Sequence, residues 1–87
     1  MSTKNVEMGP HQCRGGRALL DMTQTKLAEL AGLGLSTIVD FEKERRKVSD
    51  EAVQAIQSAL YRAGVEFIEE NGGGPGVRLR KRQQKKG

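Results

Sequence analysis

Four basic side chains fall close together in the middle of the sequence, at Lys43, Arg45, Arg46 and Lys47. Cations grouped in this way can neutralise the phosphates of a nucleic acid and release its counterions. The same composition is also typical of a solvated loop, and the cluster taken alone favours that interpretation. Whether these side chains bind phosphate therefore depends on the elements that position them.

The side chains of the sequence give little support to a catalytic function. The single histidine, His11, and the single cysteine, Cys13, have no partner at the spacing of a nucleophile and its base. A surface histidine and a small buried cysteine are the expected roles. No group of side chains has the spacing of metal ligands or of a carboxylate pair. We therefore predict no catalytic residues, no metal site and no cofactor, and an enzyme is the weakest of the functions considered.

The charge is unevenly distributed. The chain of 87 residues has a net charge of +4, but six of its fifteen basic residues lie between Arg78 and Lys86. The first 77 residues hold nine basic and eleven acidic side chains, a net charge of −2. Residues 81–87 are basic and without period, which predicts a disordered tail that attracts phosphate non-specifically. Residues 1–9 show no period and contain few apolar side chains, which predicts a flexible N-terminal arm.

Length and composition indicate one small domain with an aliphatic core, since the chain has two Phe, one Tyr and no Trp. One cysteine cannot form an intramolecular disulfide. No apolar run approaches the roughly 18 residues of a membrane span, and Met1 does not begin a signal-peptide pattern. We therefore expect no membrane association, and the cytoplasm of a bacterium as the compartment.

Helical spacing of apolar residues recurs four times. It predicts a first helix over 11–21, in which Gly15 and Gly16 indicate close approach of a neighbouring helix or of a DNA backbone. Thr23 is a good N-cap for a second helix, which Gly32 ends, and a third helix follows over 35–44. Ser49 caps a fourth helix that runs to about Ala63, with an apolar stripe that faces the core.

After Gly64 the pattern changes to alternation. Residues 65–68 and 77–80 alternate on either side of a turn rich in glycine, which predicts a β-hairpin over 65–80. The predicted register puts Val65 and Phe67 with Val77 and Leu79 on the face toward the helices. A two-stranded hairpin is marginal in isolation, so it should pack on the helices or pair with a second copy as a dimerisation element.

Several short words in register carry a family resemblance: Met22-Thr23-Gln24, Leu27-Ala28, Ala31-Gly32, Ser36-Thr37-Ile38 and Phe41-Glu42. From about Cys13 to Val65 the sequence resembles the phage-repressor and Cro-like (Xre-type) helix-turn-helix DNA-binding family. The resemblance implies a mainly α, four- to five-helix λ-repressor-like domain over 10–64, here followed by the short C-terminal β-hairpin. In this geometry the second helix of the motif enters the major groove.

The resemblance also implies roles for particular residues. In the family, a glutamine at the position of Gln24 meets a phosphate, and an arginine at the position of Arg17 pairs with a glutamate, here Glu42. We expect phosphate contacts from Gln24, Thr25, Lys43, Arg45, Arg46 and Lys47. Base reading should fall to the exposed front positions of the third helix, namely Gly34, Leu35, Ser36, Thr37 and Asp40.

The front of the third helix departs from the family pattern. The N-cap is commonly Ser or Thr and is here Gly34, and the next position is commonly polar or basic and is here Leu35. Three consequences stay open: apolar and shape-based recognition, low specificity, or a surface used for protein contacts.

The leading hypothesis is a sequence-specific DNA-binding transcriptional regulator, a repressor that inserts helix 35–44 in the major groove of double-stranded DNA as a homodimer. The alternative is an antitoxin or accessory module that uses the same fold to hold a protein partner. Leu35 and the hairpin support that alternative.

Overall fold

The computed structural model of the chain describes residues 8–69 and 73–80. These residues form four helices and a two-stranded antiparallel sheet: α1 (Pro10–Leu20), α2 (Gln24–Ala31), α3 (Leu35–Lys43), α4 (Asp50–Ala63), β1 (Val65–Ile68) and β2 (Gly76–Leu79). The predicted fold class is confirmed, with four helices and a C-terminal hairpin. The predicted tail over 81–87 and the first seven residues of the predicted arm lie outside the described residues.

Two helices begin at side chains that the sequence identified as caps. The Thr23 hydroxyl accepts a hydrogen bond from the Lys26 backbone N–H at 3.0 Å, and the Ser49 hydroxyl accepts one from Ala52 at 3.1 Å. Each bond satisfies a donor in the first helical turn that has no partner within the helix. The starts of α2 and α4 are therefore set by local chemistry.

The first three helices end in the same way, with a residue in the left-handed conformation. Its φ is 59° at Asp21, 72° at Gly32 and 55° at Glu44. In each case the next N–H bonds back to a carbonyl five residues earlier, at 2.9 Å. The predictions that the first helix ends at Asp21 and the third at Glu44 were each one residue too long, because a left-handed residue cannot continue a right-handed helix.

The core is aliphatic and lies between the helices and β1. Its fully buried side chains are Cys13, Leu27, Ile38, Glu42, Ile56, Leu60 and Val65. Met8 belongs to the same cluster and is only 3% exposed, while Gly9 is the N-cap of α1. Met8 and Gly9 thus belong to the helical domain, although the sequence placed them in an arm over 1–9. Within the described ranges, no helix combines the length and apolar character needed to cross a membrane.

The hairpin adopts the predicted register, with Phe67 opposite Val77 and Glu66 opposite Arg78. Leu79, predicted on the face toward the helices, is instead 50% exposed. The hairpin packs on the helices, and the two glycines of α1 allow this. A Cβ at Gly15 would lie 3.1 Å from Val77 Cγ2, and one at Gly16 would lie 3.5 Å from side chains of Leu60 and Val65. The close approach predicted at these glycines is therefore made by β1, β2 and α4.

Polar contacts fasten the hairpin at both ends. The Gln12 side chain accepts a hydrogen bond from Gly9 N–H at 2.9 Å and donates one to the Gly76 carbonyl at 3.0 Å. At the other end, Arg80 donates its backbone N–H to Gly64, and its guanidinium lies 4.4 Å from the centre of the Tyr61 ring. These contacts hold β2 against α1 and α4.

The left-handed helix ends predict opposite effects for two substitutions. Gly32→Ala should lower the free energy of unfolding by about 1 kcal/mol, because a Cβ strains this conformation. The change isolates backbone strain, since no atom lies within 4 Å of the Cβ position. Glu44→Gly should raise it by about 1 kcal/mol for the same reason. Urea unfolding of both variants measures this, and a change of the same sign in both would contradict it.

Candidate nucleic-acid interface

The turn between α2 and α3 consists of three residues, 32–34. Gly32 donates its N–H to Glu29 at 3.2 Å, and Leu33 donates to Ala28 at 2.9 Å. Gly34 is extended, with φ −74° and ψ 153°, and α3 begins directly after it. Behind the turn, Ala28 and Ile38 are buried in one cluster. The two helices are thus held at a fixed angle, with the front of α3 directed away from the core.

The front of α3 is open to solvent on the described part of the chain. Gly34, Leu35 and Ser36 are exposed, and Leu35 is 46% exposed despite being a large apolar side chain. No atom lies within 4 Å of the Cβ position at Gly34, which supplies no side-chain cap. Thr37 donates its N–H to the Gly34 carbonyl at 3.1 Å. The Leu35 and Ser36 N–H groups before it lie at the uncapped start of α3, where a helix can bind an oxygen of a nucleic acid.

The remaining predicted base readers are less accessible. Thr37 is half-buried, and the Asp40 side chain is only 18% exposed. Asp40 accepts a hydrogen bond from Arg46 Nε at 2.7 Å, and its other oxygen lies 4.0 Å from a guanidinium nitrogen of Arg45. The structure thus brings one predicted base reader together with two predicted phosphate ligands.

The predicted phosphate ligands at the end of α3 form an exposed basic segment, with Lys43, Arg45, Arg46 and Lys47 all on the surface. The turn that follows α3 positions them. Arg45 donates its N–H to the Asp40 carbonyl at 2.9 Å, and Glu44 donates to Phe41 at 3.2 Å. The segment therefore leaves the C-terminal end of the helix in a fixed direction.

Arg14 also contributes at this end of α3, and sequence reasoning missed it. One of its guanidinium nitrogens donates to the Glu42 carbonyl, and another lies 2.7 Å from His11 Nδ1. Because a guanidinium only donates, His11 Nδ1 is the acceptor of that bond. Arg14 thus satisfies a carbonyl in the last turn of α3 that has no partner within the helix. The spacing of His11 and Arg14 on one helix face was the available signal.

At the start of α2, Gln24 turns partly inward. Its Nε2 donates to Glu42 Oε1 at 3.0 Å. An amide nitrogen carries two hydrogens, so one remains for a phosphate, together with the backbone N–H at the first position of α2. Thr25 next to it is exposed. The inward bond gives Gln24 a second, structural role that sequence reasoning did not identify.

Glu42 is the buried centre that ties the motif to α1. Its side chain is 1% exposed, and the structure places the predicted partner Arg17 against it with two bonds of 2.8 Å, from Nε and from a terminal nitrogen. Gln24 and the Cys13 thiol, at 3.0 Å, supply two further donors. Four hydrogen bonds from α1 and α2 therefore surround one carboxylate of α3.

These contacts determine the protonation states of Glu42, Arg17 and Cys13. Burial alone would raise the pKa of Glu42, but the hydrogen bonds from Arg17, Cys13 and Gln24 and the positive charge of Arg17 outweigh it, so the pKa lies below its ordinary value. The hydrogen bond to Glu42 raises the pKa of Arg17. Burial, and then the contact with Glu42, raise the pKa of the Cys13 thiol well above its ordinary value. At neutral pH the cluster holds a carboxylate, a guanidinium and a neutral thiol.

Replacing Glu42 with Gln should lower the free energy of unfolding by about 3 kcal/mol at pH 7, because Arg17 loses its charged partner. Since the folded-state pKa of Glu42 is depressed, its contribution is present above the unfolded value of about 4.3 and is lost as the pH falls through the folded value. The difference from wild type should therefore shrink below about pH 4. Urea unfolding across pH measures it, with the exposed Glu29→Gln as control; a difference undiminished at pH 3 would contradict this account.

Comparison with known proteins assigns the motif. None of the curated proteins matches the chain. The family model described as helix-turn-helix (HTH_3) matches residues 16–60, just over half of the chain, from the middle of α1 to near the end of α4. The matched span contains the turn, the exposed front of α3, and Glu42 with its partners Arg17 and Gln24, and it supports a DNA-binding helix-turn-helix regulator. The chain belongs to the Xre/Cro-like helix-turn-helix family.

Proposed function

We propose that this protein is a sequence-specific transcriptional regulator that inserts the front of α3 into the major groove of double-stranded DNA. The observation that carries the proposal is the contrast between the two ends of α3. Near its C-terminal end, the Glu42 side chain is buried and accepts four hydrogen bonds, whereas Leu35 and Ser36 at its N-terminal end are exposed. A helix held firmly behind and open in front is suited to reading base edges.

Phosphate contacts would come from two sides of that helix. The N–H groups at the start of α2, with Gln24 and Thr25, would hold one stretch of backbone, and the basic segment 43–47 another. These contacts position the protein without reading sequence. Base reading would fall to Gly34, Leu35, Ser36, Thr37 and Asp40, with Leu35 packing on a thymine methyl group.

The assembly that we propose is a homodimer on two half-sites roughly 34 Å apart. The hairpin over 65–80 is the candidate dimerisation element, because a sheet of two strands leaves one edge of each strand without a neighbouring strand among the described residues. Leu79 on β2 is 50% exposed, which suits such a contact. A dimer that covers a promoter would exclude polymerase, so repression in the bacterial cytoplasm is the proposed outcome.

A protein-interaction role, as an antitoxin or accessory subunit, is the second candidate. The observation that favours it is Leu35, since a large apolar side chain at the front of α3 also suits a protein surface. Under this function, a partner in fixed stoichiometry would be recovered with the wild-type chain from its host, and Leu35→Ser would release it.

The DNA-binding proposal predicts that Arg45→Ala with Arg46→Ala weakens binding to every duplex. The slope of log K against log salt should become shallower by about 1 to 2, because each lost phosphate contact releases about one counterion fewer. Fluorescence anisotropy between about 50 and 200 mM salt measures this. Arg62→Ala, an exposed arginine near the end of α4, is the control. Wild-type binding that does not respond to salt would overturn the proposal.

A second prediction concerns sequence preference. Leu35→Ser should change which duplexes are selected from a random pool, because the contact with a thymine methyl is lost. Leu30→Ser is the matched control, since Leu30 on α2 is 41% exposed and Leu35 is 46% exposed. Selection followed by sequencing compares the two variants. Identical preferences in wild type and Leu35→Ser would remove Leu35 from the base-reading set.

A further inference from the structure

Asp40 occupies a position where a carboxylate is unfavourable for two reasons. It lies near the C-terminal end of α3, where the helix dipole disfavours negative charge. It also lies on the helix proposed to enter DNA, where phosphates would repel it. Fold stability does not explain its presence, because exposed ion pairs contribute little and α3 is already held by Glu42 and by its terminal turn.

The contacts of Asp40 offer an explanation. Arg46 Nε donates to Asp40 at 2.7 Å, and Arg45 approaches the same carboxylate at 4.0 Å. Both arginines are more than half exposed, while the Asp40 side chain is 18% exposed. The carboxylate is therefore bonded to Arg46 and lies near Arg45, the two cations that the proposed function assigns to phosphate. A phosphate that binds Arg46 through Nε therefore competes with Asp40 for that donor.

The Asp40–Arg46 pair should make binding to non-cognate DNA less favourable. If Arg46 turns to a phosphate, Asp40 is left without its closest partner beside a polyanion. If Arg46 stays with Asp40, a phosphate contact is lost. A cytosine resolves the conflict, because its N4 amine can donate to Asp40 in place of the guanidinium and so frees Arg46 for the backbone.

We propose that Asp40 is a specificity-determining residue that couples a base to the backbone: it restrains Arg46 in the free protein and releases it only over a cytosine. This inference rests on the proposed DNA-binding function and names the regulation of that same surface. Asp40 then chiefly lowers the affinity for non-cognate DNA and adds little affinity for the cognate site.

The test is Asp40→Ala in the full chain, against its selected site and against an unrelated duplex. Binding to the unrelated duplex should tighten about threefold to tenfold at about 50 mM salt, with a steeper salt dependence, because Arg46 becomes free to bind phosphate. The preference for the selected site should fall by a similar factor. In selection from random duplexes, the variant should lose its preference for cytosine at a single position.

Glu66→Ala is the matched control. Glu66 also accepts a hydrogen bond from an arginine, Arg78 Nε at 2.8 Å, but it lies on the hairpin. The Glu66→Ala substitution removes the same charge as Asp40→Ala, and it should leave the preference for the selected DNA site unchanged. Sedimentation checks that its oligomeric state is that of the wild type. In an Arg46→Ala background, Asp40→Ala should have a smaller effect.

Unchanged or weaker binding of Asp40→Ala to the unrelated duplex would overturn this inference while leaving the DNA-binding function intact. An equal gain in Glu66→Ala would also overturn it, since the effect would then be one of net charge alone. Wild-type protein that binds no duplex would overturn both the inference and the proposed function.

Discussion

One buried negative charge governs the arrangement of the motif. A carboxylate taken out of water costs several kcal/mol unless donors surround it, and the donors of Glu42 come from both α1 and α2. Apolar surfaces can slide past one another at small cost, but this cluster is satisfied only when the three helices meet at one angle. Hydrophobic burial makes the domain compact, and Glu42 specifies the direction in which α3 points.

The same constraint divides α3 into two functional halves. Towards its end, Glu42 is enclosed, and Arg14 and the left-handed turn at Glu44 occupy its last carbonyls. Towards its start, Gly34 and Leu35 are exposed. Rigid support behind an open surface is the general requirement for a helix that recognises a second molecule. The family match over 16–60 covers both halves.

Much of the fold was predictable because it depends on neighbours in sequence. Helical spacing, the caps at Thr23 and Ser49 and the alternation around the hairpin all act over a few residues, and each was identified. The inward bond of Gln24, the burial of Met8 and the pairing of Asp40 with Arg46 were not. These depend on distances between side chains that only the packed helices create. The left-handed residues Asp21 and Glu44 were missed because neither is a glycine.

The hairpin has a consequence for how the chain folds. Gln12 binds Gly76, and Gly15 faces Val77, so α1 and β2 touch although more than 60 residues separate them. The four helices meet mainly through shorter loops, whereas β2 must return across nearly the whole described chain. Loop-closure entropy therefore makes a direct contact between α1 and β2 costly until the helices and β1 have brought the two together. The contacts of β2 with α1 therefore join the two ends of the described fold.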